Sequence, residues 1–184
     1  VLEPEVMDDP SEAAAYDAMN HDGVNSLFVS DIYNSIFPKT LDGPILDLGS
    51  GNGLIPLLVQ KAFSNCAVVA LDAARSMLAI AQKHVAKFPP NQIGLVQARV
   101  QRLPYEDGVF KLVISNSLVH HLPEPWADFV ECFSKTTCFC KSSVICFLVF
   151  SIAFSIDLTL SIIRISGFGL GAVALPSIKI PAAL

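Results

Sequence analysis

The chain has 184 residues, of which 52% are hydrophobic and 16% charged, and its mean hydropathy is +0.53. This length is typical of one domain, and the composition excludes an intrinsically disordered chain, a basic nucleic-acid-binding domain, a coiled coil and a small disulfide-linked scaffold. The formal net charge of −5 divides unevenly, because residues 1–134 carry a net charge of −8 and residues 135–184 a net charge of +3.

The charge distribution and the cysteines limit the partners. Binding to a nucleic-acid backbone needs clustered Lys and Arg, so the acidic body predicts no nucleic-acid partner. The five cysteines form no C-x-x-C pair and have no nearby histidine, which predicts reduced thiols and no metal site. Reduced thiols are typical of a cytoplasmic protein, and that is the expected location.

The first 40 residues are predicted to be a helical segment. Apolar residues recur at helical spacing over residues 11–37, which predicts one helix that Pro38 ends. Asp42, Gly43 and Pro44 then predict a turn, after which the pattern changes.

Short apolar runs alternate with helical patterns over residues 45–135. This alternation is typical of an α/β fold, here a Rossmann-like parallel sheet sandwiched by helices. Ligands of such sheets bind beyond the carboxyl ends of the strands, so polar residues at strand ends are the candidate site residues. The predicted strands are 45–49, 67–72, 93–98 and 110–115, and the predicted helices are 54–63, 76–87 and 126–135.

A glycine-rich loop follows the first predicted strand, with the sequence Asp-Leu-Gly-Ser-Gly-Asn-Gly over residues 47–53. Glycines permit a tight turn and let a ligand approach the backbone closely. The helix that follows offers free N–H groups at its N-terminus. The loop therefore predicts a ligand-binding turn.

Asp72 ends the second predicted strand, where its carboxylate can accept hydrogen bonds from two ribose hydroxyls. Together with the glycine loop it predicts a cofactor that contains ribose. A dinucleotide fold would have glycine where this chain has Leu54, and a pyrophosphate would be repelled by Asp47. A cofactor that carries an ammonium and a sulfonium group would be compatible with that carboxylate.

Several segments together resemble the class I S-adenosylmethionine-dependent methyltransferases. Residues 47–53 resemble the family's motif I, D-x-G-x-G-x-G, and residues 71–78, Leu-Asp-Ala-Ala-Arg-Ser-Met-Leu, resemble its second strand end and the following helix. Residues 103–110, Leu-Pro-Tyr-Glu-Asp-Gly-Val-Phe, and residues 113–123 resemble its L-P-F-x-D-x-x-F segment and fourth strand. The resemblance covers about residues 11–134 and implies S-adenosylmethionine as the cofactor.

The resemblance also implies roles for the glycine-loop residues. Asp47 and the backbone of Gly49 and Gly51 would surround the methionine portion of the cofactor. Ser50 and Gly53 belong to the same cofactor-binding loop.

Five further residues receive roles from the resemblance. Asp72 would hold the ribose hydroxyls, and Ala73 and Met77 would border the adenine. Asn116, at the end of the fourth strand, would lie near the methyl group. Tyr16 in the first helix would close over the site.

The chain departs from the usual family pattern at two positions, Arg99 and Lys111, and the family usually has an aspartate where this chain has Lys111. Arg99 stands where the family often has an aspartate that reaches the adenine amino group, and an arginine cannot accept that hydrogen bond.

His120 and His121 follow the fourth strand and are the candidate general bases, against the alternative that they only pack in the loop. His21 and His84 are expected to be surface residues of helices.

The apolar tail, residues 135–184, allows three interpretations. The segment 142–163 has 22 residues, which is long enough for a transmembrane helix, and it contains one acid, Asp157. Alternatively, residues 144–150 form a fifth strand, since they are rich in β-branched and aromatic residues. The third interpretation is that the tail is a non-native extension from an altered reading frame or splice.

These observations predict three regions: a helical segment (1–40), an S-adenosylmethionine-binding α/β core (41–134) and the atypical tail. The predicted function is methyl transfer to a small-molecule acceptor, with membrane association if residues 142–163 form a helix. Two alternatives are a nicotinamide-dependent oxidoreductase and a cofactor-binding module without turnover. The oligomeric state is not predicted.

Overall fold

The computed structural model describes residues 6–36, 41–88, 92–118 and 135, together with the backbone of residues 145–149. Helices and strands alternate over this part of the chain. The elements are α1 (Pro10–Asp17), α2 (Asp22–Ile36), β1 (Ile45–Leu48), α3 (Leu54–Ala62), β2 (Val68–Asp72), α4 (Arg75–Val85), β3 (Ile93–Gln97), β4 (Leu112–Asn116) and β5 (Ile145–Val149).

The strands form one parallel sheet in the order β3-β2-β1-β4-β5. The chain adds β2 and β3 on one side of β1 and then β4 and β5 on the other. Such a reversal of strand order leaves a crevice at the carboxyl ends of the two strands where it occurs, here β1 and β4. The predicted Rossmann-like α/β fold is confirmed.

Both faces of the sheet are covered, so all four residues of β1 are buried, as is usual for a central parallel strand. Ile45 faces the layer formed by α2 and α3, where it packs in a cluster with Phe28 and Val59. Leu46 points the opposite way, as strand alternation requires, and packs with Leu103 and other residues of the segment before β4.

The body of the chain follows the sequence pattern closely. Each predicted strand and helix between residues 45 and 115 corresponds to an observed element, with bounds that differ by at most two residues. The predicted helix over residues 126–135 lies outside the described residues except at Lys135.

The single helix predicted over residues 11–37 is wrong, because the segment forms two helices, α1 and α2. Asn20 accepts a hydrogen bond from the backbone N–H of Asp22 through its Oδ1 atom, at 3.0 Å. An asparagine side chain that bonds to a neighbouring backbone N–H competes with helix continuation, which accounts for the break. The first helix also starts one residue early, since Asp9 caps it by accepting from the N–H groups of Ser11 and Glu12.

The tail contributes a strand to the sheet. The backbone of Ile145–Val149 pairs in parallel with β4, so the fifth-strand interpretation is confirmed for these residues. At residues 145–149 the backbone is therefore a strand and not part of the helix that the transmembrane interpretation requires over residues 142–163. Among the helices that the structure describes, none has the length and apolarity needed to cross a bilayer. The rest of the tail lies outside the described residues.

Candidate cofactor site

The glycine loop lies at the carboxyl end of β1 and is fastened to β2. The N–H groups of Gly49 and Ser50 both donate to the carbonyl of Leu71, at 2.8 and 3.0 Å. Gly49 has a φ of 70°, and a Cβ there would lie 3.0 Å from the Leu118 Cδ1 atom. Only glycine adopts this conformation at little cost, so the sequence pattern and the loop geometry agree.

Asp72 connects this loop to the helix that follows β2. Its Oδ2 atom accepts from the N–H of Gly51 and its Oδ1 atom accepts from the N–H of Ala74, each at 2.8 Å. Burial raises the pKa of Asp72, while these backbone hydrogen bonds oppose the rise. Each carboxylate oxygen keeps further acceptor capacity, which the predicted contact with ribose hydroxyls requires.

Asp47 is the most deeply buried acid of the site. Asp47 is 1% exposed, and its Oδ2 atom has no hydrogen-bond partner among the described residues. Burial raises the pKa of Asp47 well above its ordinary value, and the charge of Asp72 raises it further. A buried carboxyl oxygen without a partner lowers the stability of the fold. The position therefore suits a residue that binds a cationic or hydrogen-bond-donating group of a ligand.

Ser50 presents a second buried polar atom without a partner among the described residues. Its Oγ atom is buried, and the residue lies three positions after Asp47 in the same loop. The hydroxyl can both donate and accept. The site thus offers an acid, a hydroxyl and a glycine-lined backbone, which fits the charged amino-acid end of S-adenosylmethionine.

Tyr16 lies near these acids. Burial raises its pKa, and the charge of Asp72 contributes to the rise, so the phenol is within electrostatic reach of that carboxylate. The ring packs against the cluster formed by Ala13, Ala74 and Met77. Since Ala74 is two residues after Asp72, the Tyr16 ring lies against the turn that follows the predicted ribose-binding residue.

The remaining predicted residues lie along the same edge of the sheet. The Met77 side chain is buried in the first turn of α4, where its Cε atom would be 3.4 Å from a Cβ at Gly51. Ala73 follows Asp72 and accepts a hydrogen bond from Gln97 at 3.2 Å, and Gly53 precedes α3. Asn116 ends β4 on the other side of β1. His120 and His121 lie outside the described residues.

The site is joined to α1 by three residues that the sequence pattern does not assign to it, Asp17, Asn52 and His84. Asn52 donates from Nδ2 to the Oδ1 atom of Asp17 at 2.8 Å, and His84 contacts both of them. The expectation that His84 is a surface residue is wrong, since its side chain is only 17% exposed. Helical spacing is the sequence signal for the burial of His84, because Met77, Ala81 and His84 fall on one face of α4.

A sequence profile described as "Methyltransferase domain" matches residues 45–137 of this chain. A curated relative, a malonyl-[acyl-carrier protein] O-methyltransferase of Geobacter sulfurreducens, is 29% identical over 120 residues, which is 65% of this chain and 43% of that protein. The chain thus spans less than half the length of the curated relatives that it matches.

Solved structures share the fold. An S-adenosylmethionine-dependent methyltransferase from Aquifex aeolicus superposes with a TM-score of 0.62 at 18% identity, over 77% of this chain and 72% of that one. A phosphoethanolamine N-methyltransferase from Haemonchus contortus, in complex with S-adenosylmethionine, gives a TM-score of 0.63 at 17% identity, over 77% of this chain and 33% of that one. At these identities the likeness concerns the fold alone.

The raised pKa of Asp47 predicts how the stability of the free protein depends on pH. The folded state binds this proton more tightly than the unfolded chain does, where an aspartate has a pKa of about 3.9. The contribution of Asp47 to stability is therefore complete below that value and is lost as the pH rises through the raised pKa. In Asp47→Asn this loss should be absent.

Urea unfolding of the wild type and of Asp47→Asn over a series of pH values, without cofactor, measures this difference. The free energy of unfolding should fall more steeply with rising pH in the wild type. Parallel pH dependence in the two proteins would show that Asp47 does not hold its proton as the structure indicates.

Proposed function

Because this chain belongs to the methyltransferase-domain family of class I S-adenosylmethionine-dependent methyltransferases, we propose that it binds S-adenosylmethionine at the carboxyl ends of β1 and β2 and transfers its methyl group to a small-molecule acceptor. The observation that carries the proposal is the buried Oδ2 atom of Asp47 beside the glycine loop, which has no hydrogen-bond partner among the residues that the structure describes. The family match also favours this cofactor over the nicotinamide alternative.

In this proposal Asp47, Ser50 and the backbone of Gly49 and Gly51 hold the methionine portion of the cofactor. A carboxylate offers charge to the ammonium group, and the pKa of Asp47 should fall when that group arrives. The loop amides stay anchored to β2 and Asp72, so they are ordered before binding.

The other predicted residues hold the nucleoside portion. Asp72 accepts from the ribose hydroxyls, and Ala73 and Met77 border the adenine ring. Tyr16 covers the site from α1. Arg99 is exposed beyond β3 and offers no acceptor to the adenine amino group, so the adenine contacts differ from the usual family pattern.

The cofactor, when bound, supplies an electrophilic methyl group on a sulfonium. The chain must then hold the acceptor in line with that group and exclude water, so positioning supplies most of the rate. Asn116, near the methyl group, is a positioning residue in this proposal. His120 and His121 are the candidate bases for an acceptor whose nucleophilic atom must lose a proton.

The acceptor has two candidate classes. The net charge of −8 over residues 1–134 favours a small molecule over a nucleic acid. The name of the Geobacter sulfurreducens relative favours a second candidate, the carboxyl group of an acyl chain on a carrier protein. A carboxylate is already a nucleophile at neutral pH, so transfer to it needs no general base.

The cofactor proposal is tested by binding measured with isothermal titration calorimetry. The wild type should bind S-adenosylmethionine and its demethylated product, S-adenosylhomocysteine, and should not bind NAD. Asp72→Asn should weaken binding by about 10- to 100-fold, because hydrogen bonds to a charged group contribute about 1.5–3 kcal/mol. Asp31→Asn, in the middle of α2, is the matched control and should bind as the wild type does.

Binding of NAD alone would overturn the proposed function. An unchanged affinity in Asp72→Asn would show instead that the ribose assignment is wrong, while leaving the cofactor class intact.

Acceptors whose nucleophilic atom must lose a proton are separated from carboxylate acceptors by alanine variants of His120 and His121, assayed for methyl transfer to a panel of hydroxyl, thiol and carboxyl acceptors. A hydroxyl or thiol acceptor predicts that one variant loses about 10²- to 10⁴-fold in kcat, with S-adenosylhomocysteine affinity retained. A carboxyl acceptor predicts that both variants keep the wild-type rate. Absence of transfer to every acceptor, with cofactor bound, would support a binding module without turnover.

A further inference from the structure

We infer that His84 is a positioning residue that locks α1 onto the glycine loop, through a three-residue contact with Asp17 and Asn52. We call this set, Asp17, Asn52 and His84, the His84 clasp. The inference rests on the proposed function, because the loop that it orders is the proposed cofactor-binding loop.

The clasp is closed by three contacts. His84 Nδ1 lies 3.0 Å from the carbonyl oxygen of Asn52, and since a carbonyl can only accept, the imidazole donates here. Asn52 Nδ2 donates to Asp17 Oδ1 at 2.8 Å. His84 Nε2 lies 3.4 Å from Asp17 Oδ2, and because Nδ1 already donates to Asn52, this contact is an ion pair only when the imidazole carries a proton on both nitrogens. Each member therefore touches both of the others.

The clasp joins three elements that are far apart in sequence. Asp17 is the last residue of α1, Asn52 lies in the loop before α3, and His84 is in the last turn of α4. Asn52 is 5% exposed, and the side chains of His84 and Asp17 are 17% and 26% exposed. Polar contacts shielded to this degree are stronger than those of an exposed surface pair.

The neighbours of the clasp explain its consequence for the site. Tyr16, which packs against Ala74 just after Asp72, is adjacent to Asp17, so fixing Asp17 also restrains the residue that covers the proposed ribose position. Asn52 is adjacent to Gly51, whose N–H is bound by Asp72. The three residues of the clasp thus contact both the end of α1 and the glycine loop.

A second contact holds the other end of the same segment. Asp8 accepts from the N–H of Ser76 at 3.0 Å, and the backbone carbonyl of Asp8 accepts from the Ser76 hydroxyl at 2.6 Å. This contact is exposed and does not include the glycine loop. Two tethers, one at each end of α4, therefore hold α1 along that helix, and only the His84 clasp also contacts the loop.

The test compares His84→Ala and Asp17→Asn with Val85→Ala, which truncates a buried side chain of the same helix that is not a member of the clasp. Hydrogen exchange of the free proteins should be faster at α1 and at residues 49–53 in both clasp variants. In Val85→Ala, exchange should increase across the fold in proportion to the lost stability.

Calorimetry with S-adenosylhomocysteine supplies the second measurement. His84→Ala should raise Kd by about tenfold, which is about 1.4 kcal/mol, and Val85→Ala should leave Kd near the wild-type value. The double variant His84→Ala with Asp17→Asn should be little worse than either single variant, because the two residues act through one contact.

The outcomes separate this inference from the proposed function. If the wild type binds S-adenosylhomocysteine and His84→Ala binds it equally well with unchanged loop exchange, the inference is wrong. If the wild type fails to bind, the proposed function is wrong, and unchanged exchange at α1 and the loop would then overturn the inference independently.

Discussion

Two carboxyl groups, those of Asp47 and Asp72, are buried at the carboxyl ends of the neighbouring strands β1 and β2. Burial raises the pKa of both, and the charge of Asp72 raises that of Asp47 further. Backbone N–H groups of Gly51 and Ala74 stabilise the Asp72 carboxylate, whereas the Oδ2 atom of Asp47 has no such partner in the described chain. In the described chain the two acids therefore differ in hydrogen bonding, since backbone donors stabilise Asp72 and none reaches the Oδ2 atom of Asp47.

The parallel sheet supplies the placement, and the glycine loop supplies the close approach. Because β1 and β2 are paired in register, both acids and the loop meet at one edge of the sheet. Helix α1 then closes that edge, with Tyr16 near Asp72 and Asp17 bonded to the loop residue Asn52. A buried acid without a hydrogen-bond partner in the described chain reduces the stability of the free protein, and such local costs are common at functional sites.

The body of the fold was predictable because buried parallel strands and amphipathic helices leave local patterns. The glycine loop and Asp72 were predictable for the same reason, since turn geometry and strand-end position are local. The break at Asn20 was missed because a single side chain–backbone hydrogen bond overrode apolar spacing that continued across it. His84 was missed because its partner Asp17 is 67 residues away. The apolar composition of residues 145–149 is compatible with a strand or a helix, so β5 is only one of three interpretations of the sequence. Its pairing with β4 identifies these residues as a strand.

In the proposed site, Asp47 is the buried acid that receives the cationic end of the cofactor. Calorimetric titration of the wild type with S-adenosylhomocysteine, at mildly acidic pH in two buffers of different ionisation enthalpy, tests this role. Binding should release protons, because the arriving ammonium lowers the raised pKa of Asp47. Binding whose enthalpy is the same in both buffers, or binding with proton uptake, would contradict it.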